Sequence, residues 1–475
     1  MSESTPVRTR MAPSPTGELH IGGLRTLLYS YALAKQSGGQ FIIRIEDTDQ
    51  KRYVEGAEKR LLQVVKDYGL SWDEGPDIGG PYGPYVQTDR QNLYQQHIKT
   101  LLDNHHAYYC FCTEERLSKL RDTQRAAKKI PKYDRHCLSL TPDQVAKNLS
   151  DNVPFVIRLK VPENETITFT DIVRGPIKFN SRDVDDQVLI KSNGIPTYHF
   201  AVVVDDHLMK ITHIFRGEEW ITSTPKHVLL YQYFGWEMPS IAHLTVFLDP
   251  EGKGKMSKRH GSTHAQAFLD DGYLPEAVLN FIMLLGWNPG TNQELFTVDE
   301  FVSQFNLKHL HKKAPAFDRK KLDYINGLYI RQKTDVELLP YFKKFLGEAT
   351  DEQLSILIPV LKERTVKFSD LKETTKFLFE DVVYEKELLL KKGTSPDVAR
   401  EMLTKTKELF ADFSDLQNRI TDLIKTNNWN IGEYFMVLRV AICGVAFTPP
   451  VVECLPALGQ ESALRKIDIA LGLLK

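Results

Sequence analysis

Two short segments carry residue types that could bind and transfer a phosphate group. The first, residues 13–23, reads PSPTGELHIGG and lies where a strand is expected to turn into a helix. A helix N-terminus offers free N–H groups and a partial positive charge, which suit an anion such as polyphosphate. His20 could donate a hydrogen bond to phosphate without adding a full charge, and Gly22 could let a flat base lie against the backbone. Simple helix packing and capping explain this segment equally well.

The second segment, residues 252–259, reads GKGKMSKR. Its glycines predict a mobile loop. Lys255, Lys258 and Arg259 cluster positive charge that could clamp a phosphoryl group in the transition state. A lysine-rich loop on its own is more often an ordinary solvated turn, so this interpretation depends on the first segment being present as well.

Both segments need a sheet to hold them, and the hydrophobic pattern predicts one. Strands are expected at 7–12 and 41–46, alternating with helices at about 22–36 and 54–68. Residues 47–49 could cap the second helix. This βαβα order favours a parallel sheet with helices on its faces. It lacks GxGxxG, which argues against a dinucleotide-binding fold.

The sheet pattern is interrupted after about residue 106 and later resumes. The elements expected here are strands at 156–161, 167–173, 197–204 and 211–215 and a helix at 223–234. Beyond about residue 252, helical periodicity dominates, as in the apolar residues at 354, 357, 358 and 361 and those at 464, 467, 471 and 474. The sequence therefore predicts an α/β protein, a Rossmann-like parallel-sheet domain split by an α/β insertion and followed by an all-α C-terminal region.

Composition excludes several classes of protein. Of the 475 residues, 42% are hydrophobic and 26% charged, the balance of a globular chain. Apolar runs such as 281–285 are far shorter than the roughly 18 residues of a membrane span, so no membrane association is expected. Five cysteines and an N-terminus without an apolar signal core indicate a reduced, cytoplasmic location. Lys plus Arg (61) nearly equals Asp plus Glu (62), so any nucleic-acid surface must be local.

Together the two segments resemble the HIGH and KMSKS signatures of class I aminoacyl-tRNA synthetases. They appear here as HIGG at 20–23 and KMSKR at 255–259, with Gly23 in place of a second phosphate-donating His. Over essentially the whole chain the sequence is similar to glutamyl-tRNA synthetases of bacterial and organellar type. The stretches that carry this resemblance are RMAPSPTG (10–17), RIEDTD (44–49), PTYH (196–199), VDDH (204–207) and RGEEW (216–220).

The resemblance implies a site for L-glutamate. Arg10 and Arg216 are the candidate forks for its side-chain carboxylate, because a guanidinium can bind a carboxylate bidentately. Glu46 is the candidate partner of its ammonium group. Ser14 and Tyr198 would complete the hydrogen bonds.

Some of these side chains also have a structural interpretation. Arg216 could pair with Glu218 or Glu219, and Glu46 could pair with Arg44. Function is favoured because ligand sites of α/β folds gather at the ends of sheet strands, where these residues are expected.

The resemblance also implies ATP, with Mg²⁺ on its phosphates. His20, Lys255 and Lys258 would be the catalytic residues, and they would bind ATP together with Gly22 and Ser257. The carboxylate of glutamate would attack the α-phosphate to give glutamyl-adenylate, with tRNA required beforehand. The 3′-terminal adenosine of tRNA(Glu), or of tRNA(Gln) as well, would then accept glutamate. Positioning and charge neutralisation suffice for this chemistry.

Two clusters of basic residues, within 116–136 and 308–331, could follow a tRNA backbone, although solvated helix faces are the alternative. A monomer is expected. The expected division is a catalytic domain (1–85 and 195–250), an acceptor-end-binding insertion (86–194), a stem-contact domain with the lysine loop (251–330) and a helical anticodon-binding region (331–475). The helical C-terminus argues against a glutaminyl enzyme. An inactive tRNA-binding paralogue is the rival from another class.

Cys110 and Cys112, with Cys137, resemble the zinc site of some glutamyl-tRNA synthetases. A closed structural zinc site needs four ligands. Relatives that bind zinc place a His two residues after the third Cys, where this chain has Ser139. His136 and Tyr133 are expected to be near but misplaced for ligation. Metal-free thiols are therefore the expected state, and a structural Zn²⁺ is the alternative.

Overall fold

The computed structural model describes residues 6–256, 262–390 and 393–475. The chain divides into two compact units. The first comprises the residues up to Ala267 together with Leu279–Asp318. The second comprises Phe268–Val278 together with Arg319–Lys475.

The strands of the described residues form a six-stranded and a three-stranded sheet, both in the first unit. They are β1 (Arg8–Met11), β2 (Gln40–Ile43), β3 (Ala107–Cys110), β4 (Val156–Leu159), β5 (Thr166–Asp171), β6 (Gly175–Asn180), β7 (Val188–Ile190), β8 (His213–Gly217) and β9 (Ser240–Leu244). The large sheet has the order β2-β1-β8-β9-β5-β6, and the small antiparallel sheet has the order β3-β4-β7.

Helices precede, cover and follow these sheets. Those up to residue 304 are α1 (Ile21–Gln36), α2 (Ala57–Asp67), α3 (Gln91–Asp103), α4 (Glu114–Ala126), α5 (Pro142–Ser150), α6 (Tyr198–Leu208), α7 (Thr224–Phe234), α8 (Ala265–Asp270), α9 (Pro275–Met283) and α10 (Val298–Gln304). None of the described helices combines the length and the hydropathy that crossing a bilayer would need.

The rest of the second unit consists of helices joined by turns and loops, with no strand among its described residues, which confirms the predicted all-α region. Its helices are α11 (Arg319–Gln332), α12 (Asp335–Phe345), α13 (Asp351–Leu361), α14 (Leu371–Thr374), α15 (Lys376–Phe379), α16 (Lys386–Leu389), α17 (Pro396–Leu409), α18 (Leu416–Thr426), α19 (Ile431–Cys443), α20 (Val451–Leu458) and α21 (Gln460–Leu473). The predicted face of α13 is buried, whereas on α21 Ile467 is buried and Leu464 and Leu471 are half-buried.

Parallel pairing brings the carboxyl ends of the central strands to one edge of the large sheet. β1 pairs with β2 on one side and with β8 on the other, both in parallel. β8 pairs with β9 in parallel from His213↔Ser240 to Gly217↔Leu244. Met11, Gly217 and Leu244 therefore end their strands at the same edge, which is where ligands bind in open α/β sheets.

The elements around the first segment confirm the sequence-based prediction. The expected strand at 7–12 is β1 and the expected helix at 22–36 is α1. Capping of α2 was predicted wrongly: α2 begins after Gly56, which has a left-handed φ of 72°. The Asp47 carboxylate instead accepts hydrogen bonds from Thr88, and Asp49 pairs with Arg52.

The strand expected at 197–204 is wrong, because these residues begin the helix α6. The run FAVVV at 200–204 is buried throughout, in the core beneath the sheet. A short apolar run that is buried on all sides has no period that would distinguish a helix from a strand. Tyr198 consequently lies in the first turn of a helix rather than on a strand.

The predicted insertion contributes two strands to the large sheet. β5 pairs in parallel with β9 through Asp171↔Ile241, and β6 pairs with β5 in an antiparallel hairpin. Only β3, β4 and β7 form the separate small sheet. The insertion therefore reaches the strands that carry the candidate site.

Candidate active site

A cavity of about 910 Å³ lies at the carboxyl edge of the large sheet. It is bounded by the ends of β1, β8 and β9 and by the N-terminus of α1. The candidate residues that line it are Arg10, Ser14, His20, Gly22, Glu46, Tyr198, Arg216 and Lys255. Ser257, Lys258 and Arg259 lie outside the described residues. The structure thus gathers every described candidate for glutamate and ATP around one space.

The His20 ring caps α1. Its Nδ1 accepts a hydrogen bond from the backbone N–H of Gly22 at 3.0 Å. Burial lowers the pKa of His20, and the charges of His264 and Lys255 lower it further, so the neutral ring is favoured. Because Nδ1 accepts, the proton lies on Nε2, which can donate to a phosphate. Capping therefore uses Nδ1 and leaves the Nε2–H available as a donor toward the cavity.

The two glycines after His20 differ in their surroundings. A Cβ on Gly22 would meet only the His20 ring, the nearest atom lying at 3.2 Å. A Cβ on Gly23 would lie 3.0 Å from Leu19 Cδ1 and 3.6 Å from Met11 Cε. Gly22 therefore leaves room on the cavity side, whereas Gly23 permits close packing.

Arg10 is already engaged by a buried carboxylate. Its Nε and Nη2 donate to Oδ1 and Oδ2 of Asp206, at 3.0 and 3.3 Å. Asp206 also accepts from Arg44 Nη1 at 2.8 Å. Asp206 belongs to the VDDH stretch, and no role for it could be assigned from sequence; the structure shows that it holds two guanidiniums beneath the cavity.

Glu46 faces the cavity while pairing with Arg44, whose Nη2 lies 2.9 Å from Glu46 Oε1. Burial raises the pKa of Glu46 to about 7, although the charges of Arg44 and Arg10 oppose this. The structural and functional interpretations of Glu46 therefore coexist, since one carboxylate oxygen can meet Arg44 and the other an ammonium group.

Arg216 contacts neutral groups rather than the carboxylates considered as alternatives. Nε donates to His243 Nε2 at 3.0 Å, Nη1 lies 3.1 Å from His227 Nδ1, and Nη2 donates to Thr224 Oγ1 at 2.8 Å. Glu218 instead binds Arg174 and the backbone N–H of Val246. Burial lowers the pKa of Arg216.

Sequence reasoning missed the residues around Arg216. His243 lies on β9, which was not predicted, and His227 lies on α7 with no motif to single it out. Trp220, in the quoted RGEEW stretch, packs against Tyr198 with ring centroids 4.5 Å apart. Tyr198 is half-buried against this ring, and burial raises the pKa of its hydroxyl.

Lys255 extends from the second segment to the rim of the cavity. Its backbone forms a bridge with Leu248, just beyond β9, and its side chain is exposed. Its charge contributes to lowering the pKa of His20. Lys255, in the described part of the lysine loop, is therefore close enough to the N-terminus of α1 for its charge to act on His20.

The cysteine triad is assembled in the first unit. The Sγ atoms of Cys110, Cys112 and Cys137 lie within 4.8 Å of one another and could hold a metal ion. Tyr133 Oη lies 3.3 Å from Cys110 Sγ and 3.4 Å from Cys112 Sγ, so this residue is close to the triad, as expected. Hydrogen bonds, chiefly from Cys137, lower the pKa of Cys110. The other cysteines, Cys443 and Cys454, are buried.

Some residues of the first basic cluster, within 116–136, form ion pairs with carboxylates of the protein. Helix α4 has no buried residue, and Lys119, Arg121 and Arg125 on it are exposed. By contrast, Arg116 pairs with Asp134 at 2.6 Å and Arg135 pairs with Asp186 at 2.8 Å. The exposed face of α4 and the exposed Lys128 and Lys129 that follow it are therefore the part of this cluster available to a phosphate backbone.

Comparison with known proteins agrees with this architecture. A family model described as tRNA synthetases class I (E and Q), catalytic domain, matches residues 6–324, and an anticodon binding domain model matches residues 337–471. The parallel sheet with HIGG at the N-terminus of α1, followed by the helical region, is the arrangement of a class I aminoacyl-tRNA synthetase, a class that uses ATP.

The relatives specify the family. A glutamate–tRNA ligase of Clostridioides difficile is 44% identical over 97% of this chain and 98% of its own length. One of Borreliella burgdorferi is 41% identical over 98% and 99%. The crystal structure of a glutamate tRNA ligase from Elizabethkingia meningosepticum in complex with its amino acid is 38% identical, with a TM-score of 0.88 over 99% and 100%. This chain belongs to the glutamate–tRNA ligase family and is an enzyme of that type.

Proposed function

We propose that the chain joins L-glutamate to tRNA(Glu) in two steps within this one cavity. The glutamate α-carboxylate attacks the α-phosphate of ATP, which forms glutamyl-adenylate and releases pyrophosphate. The 2′-OH of the 3′-terminal adenosine of tRNA then takes the glutamyl group and releases AMP. The observation that carries this proposal is the meeting of a helix N-terminus suited to phosphates and a buried guanidinium suited to a carboxylate around the same space.

At the amino-acid end, Arg216 binds the side-chain carboxylate and Glu46 binds the ammonium group. Arg10 adds positive potential, although Asp206 already occupies two of its donors. Ser14 and Tyr198 supply hydroxyl groups at the cavity wall. The arrangement fixes both charged ends of glutamate, as positioning of the reacting carboxylate requires.

At the nucleotide end, the N-terminus of α1, the Nε2–H of His20 and Lys255 meet the phosphates, while Gly22 leaves room for the base. Ser257 and Lys258 are assigned to the same phosphates from the KMSKR stretch of the sequence alone. Mg²⁺ on the phosphates would neutralise charge as they separate. The protein residues that bind the phosphates hold and orient ATP for in-line attack.

For tRNA, we propose that the insertion at 86–194 guides the acceptor end along the exposed basic face of α4, with the stem contacted by 251–330 and the anticodon by 331–475. The catalytic domain comprises 1–85 and 195–250. The protein acts as a cytoplasmic monomer. Charging of tRNA(Gln) in addition is the alternative that the next experiment decides.

We further propose that Zn²⁺ is held by the thiolates of Cys110, Cys112 and Cys137 and by Tyr133 Oη. In a tetrahedral zinc site, bond lengths of about 2.0–2.3 Å place neighbouring ligand atoms roughly 3.5–3.8 Å apart. The Tyr133 Oη distances of 3.3 and 3.4 Å to two sulfurs are close to that spacing. The metal would tie β3 to the segment around Cys137.

Charging of purified tRNA(Glu) and tRNA(Gln) transcripts with labelled glutamate tests this function. Charging of the first alone would establish an enzyme that discriminates between them. Charging of both would keep the chemistry and make the anticodon contact permissive. If neither were charged, the proposed activity would be wrong and the inactive paralogue would be favoured. Arg216→Ala should raise the KM for glutamate with a smaller effect on ATP.

A further inference from the structure

Arg216 is a buried cation whose protein partners are all neutral. The residue is 7% exposed, and its guanidinium donates to two imidazole nitrogens and one hydroxyl oxygen. Among residues 6–256 and 262–390 and in the described remainder of the chain, no carboxylate forms an ion pair with it. A buried charge without a counter-ion is costly, and arginine does not relieve the cost by deprotonating.

The other two guanidiniums beneath the cavity, by contrast, form ion pairs with carboxylates. Arg10 pairs with Asp206, and Arg44 pairs with both Asp206 and Glu46 at 2.8–2.9 Å. Carboxylates are therefore present in this region, but they pair with Arg10 and Arg44 and not with Arg216. Arg216 alone of these three keeps an uncompensated charge at the cavity wall.

The partners of Arg216 are held in the tautomers that accept its protons. Since a guanidinium only donates, His243 Nε2 must be unprotonated, and its proton lies on Nδ1. That Nδ1–H donates to Asp171 Oδ2 at 2.7 Å, and the same oxygen accepts from the His243 backbone N–H at 3.0 Å. Asp171 Oδ1 is itself fixed by the N–H groups of Val173 and Arg174.

His227 continues the same arrangement. Its Nδ1 faces Arg216, which leaves the proton on Nε2, 3.0 Å from His199 Nδ1. Burial lowers the pKa of both His227 and His243, so neutral rings face the guanidinium. The orientation of the guanidinium is thus set from two sides by imidazoles that add no charge.

We propose that Asp171 and His243 are positioning residues that hold Arg216 without neutralising it, so that its charge selects the carboxylate of glutamate over the carboxamide of glutamine. A carboxylate entering the cavity would supply the missing counter-ion and form charge-assisted hydrogen bonds. A carboxamide would leave the buried charge unpaired and present a donor to a donor-only group. This inference rests on the proposed function and assigns its side-chain selectivity.

A matched pair at Thr224 tests the role of charge. Thr224→Asp places a carboxylate beside Arg216 Nη2, and Thr224→Asn adds similar volume without charge. The readout is kcat/KM for glutamate relative to glutamine in tRNA charging. We expect Thr224→Asp to reduce this ratio by about 100-fold or more and Thr224→Asn to change it by less than about 5-fold. Equal effects of the two variants would overturn the role of charge.

A second pair at His243 tests positioning. His243→Leu removes the acceptor, whereas His243→Gln keeps one acceptor for Arg216 and one donor for Asp171. We expect His243→Leu to raise the KM for glutamate about 10-fold with the KM for ATP within about 2-fold, and His243→Gln to restore most of the loss. Parallel changes in both KM values, or no rescue by Gln, would show a merely structural role and overturn the proposal.

Different results would overturn the proposed function and the selectivity assigned to Arg216. If the wild-type protein charged no tRNA with glutamate, the proposed function would fall and the selectivity assignment with it. If the wild type charged tRNA(Glu) and the Thr224 and His243 variants kept the wild-type selectivity and KM for glutamate, only the assignment would fall. Thr9→Val is the matched control, because it removes one hydrogen bond from a buried threonine of the same sheet without touching the cavity.

Discussion

Arg10 and Asp206 form a two-point ion pair beneath the cavity, with Nε–Oδ1 at 3.0 Å and Nη2–Oδ2 at 3.3 Å. The pair joins β1 to α6 across 196 residues of sequence. Arg44 shares the same carboxylate, so Asp206 is the common point of a buried network of ion pairs.

Asp206→Asn should therefore destabilise the first unit strongly. Removing one partner of a buried pair costs about 3–5 kcal/mol in the free energy of unfolding. Urea denaturation measures this loss, with Asp122→Asn as control, because Asp122 is exposed and lies 3.8 Å from Arg125. Burial opposes ionisation of Asp206, but the arginines outweigh it and lower its pKa. The stability is present above the unfolded pKa, so the difference from wild type should narrow as the pH falls below about 4.

Glu46 should make glutamate use depend on pH. Burial raises the pKa of Glu46 to about 7, and only the ionised form attracts the substrate ammonium group. We expect kcat/KM for glutamate to rise as the pH increases through about 7, with kcat/KM for ATP changing less. Glu46→Gln should give a low value without this rise. A wild-type profile that stays flat across pH 7 would contradict the role assigned to Glu46.

The roles of His20 as a helix cap and as a phosphate donor should be separable by substitution. His20→Asn keeps an N-cap oxygen for the Gly22 N–H but is too short to replace Nε2. We expect kcat to fall by about 10²–10³, as for loss of one transition-state donor, with an unchanged melting temperature. His20→Ala should lose the same activity and also about 1 kcal/mol of stability through the lost cap. Full activity of His20→Asn would leave His20 as a cap only.

Lys255→Ala should slow glutamate activation while leaving tRNA affinity nearly intact, because Lys255 lines the cavity beside His20. Single-turnover charging and a tRNA filter-binding assay separate the two effects. Lys253→Ala is the matched control, since Lys253 lies in the same loop and pairs with Glu251 at 2.9 Å. If tRNA affinity collapsed in Lys255→Ala, the loop would be a tRNA contact rather than a phosphate clamp.

Tyr133→Phe should lower zinc content if Tyr133 Oη is the fourth ligand. Metal analysis of the purified protein after dialysis against a weak chelator gives the stoichiometry. Tyr109→Phe is the control, because Tyr109 is a half-buried tyrosine on β3, next to Cys110 in sequence. Equal zinc content in wild type and Tyr133→Phe would exclude Tyr133 as a ligand. A wild-type protein without zinc would favour the metal-free thiols expected from sequence.

Elements with a clear period or a capping signal could be predicted from the sequence. These signals are present from β1 through the turn at 13–17 to the helix α1. The motif residues on these elements line one cavity. The helix α6 could not be predicted, because its apolar run is buried on all sides and shows no period.

The residues behind the site could not be predicted for a different reason. Asp171 and His243 are 72 residues apart, and each looks ordinary in its own segment. They meet only because β5 and β9 become neighbours in the sheet, a long-range contact that no local pattern encodes. The same holds for Arg10 and Asp206, whose pairing depends on the packing of α6 beneath β1.

The strand order of the large sheet has a consequence during synthesis of the chain. β1 neighbours β8, and the hydrogen bond from Arg8 N to Thr212 Oγ1 spans 204 residues. The nascent strands β1 and β2 must therefore wait for a segment that leaves the ribosome roughly 10–40 seconds later, at about 5–20 residues per second. During that interval the backbone edge of β1 that faces β8 in the folded sheet has no strand to pair with, and such an unpaired edge can pair with another chain. A message truncated within the insertion would yield a product that has HIGG but lacks β8 and β9, the strands that complete the sheet beside it.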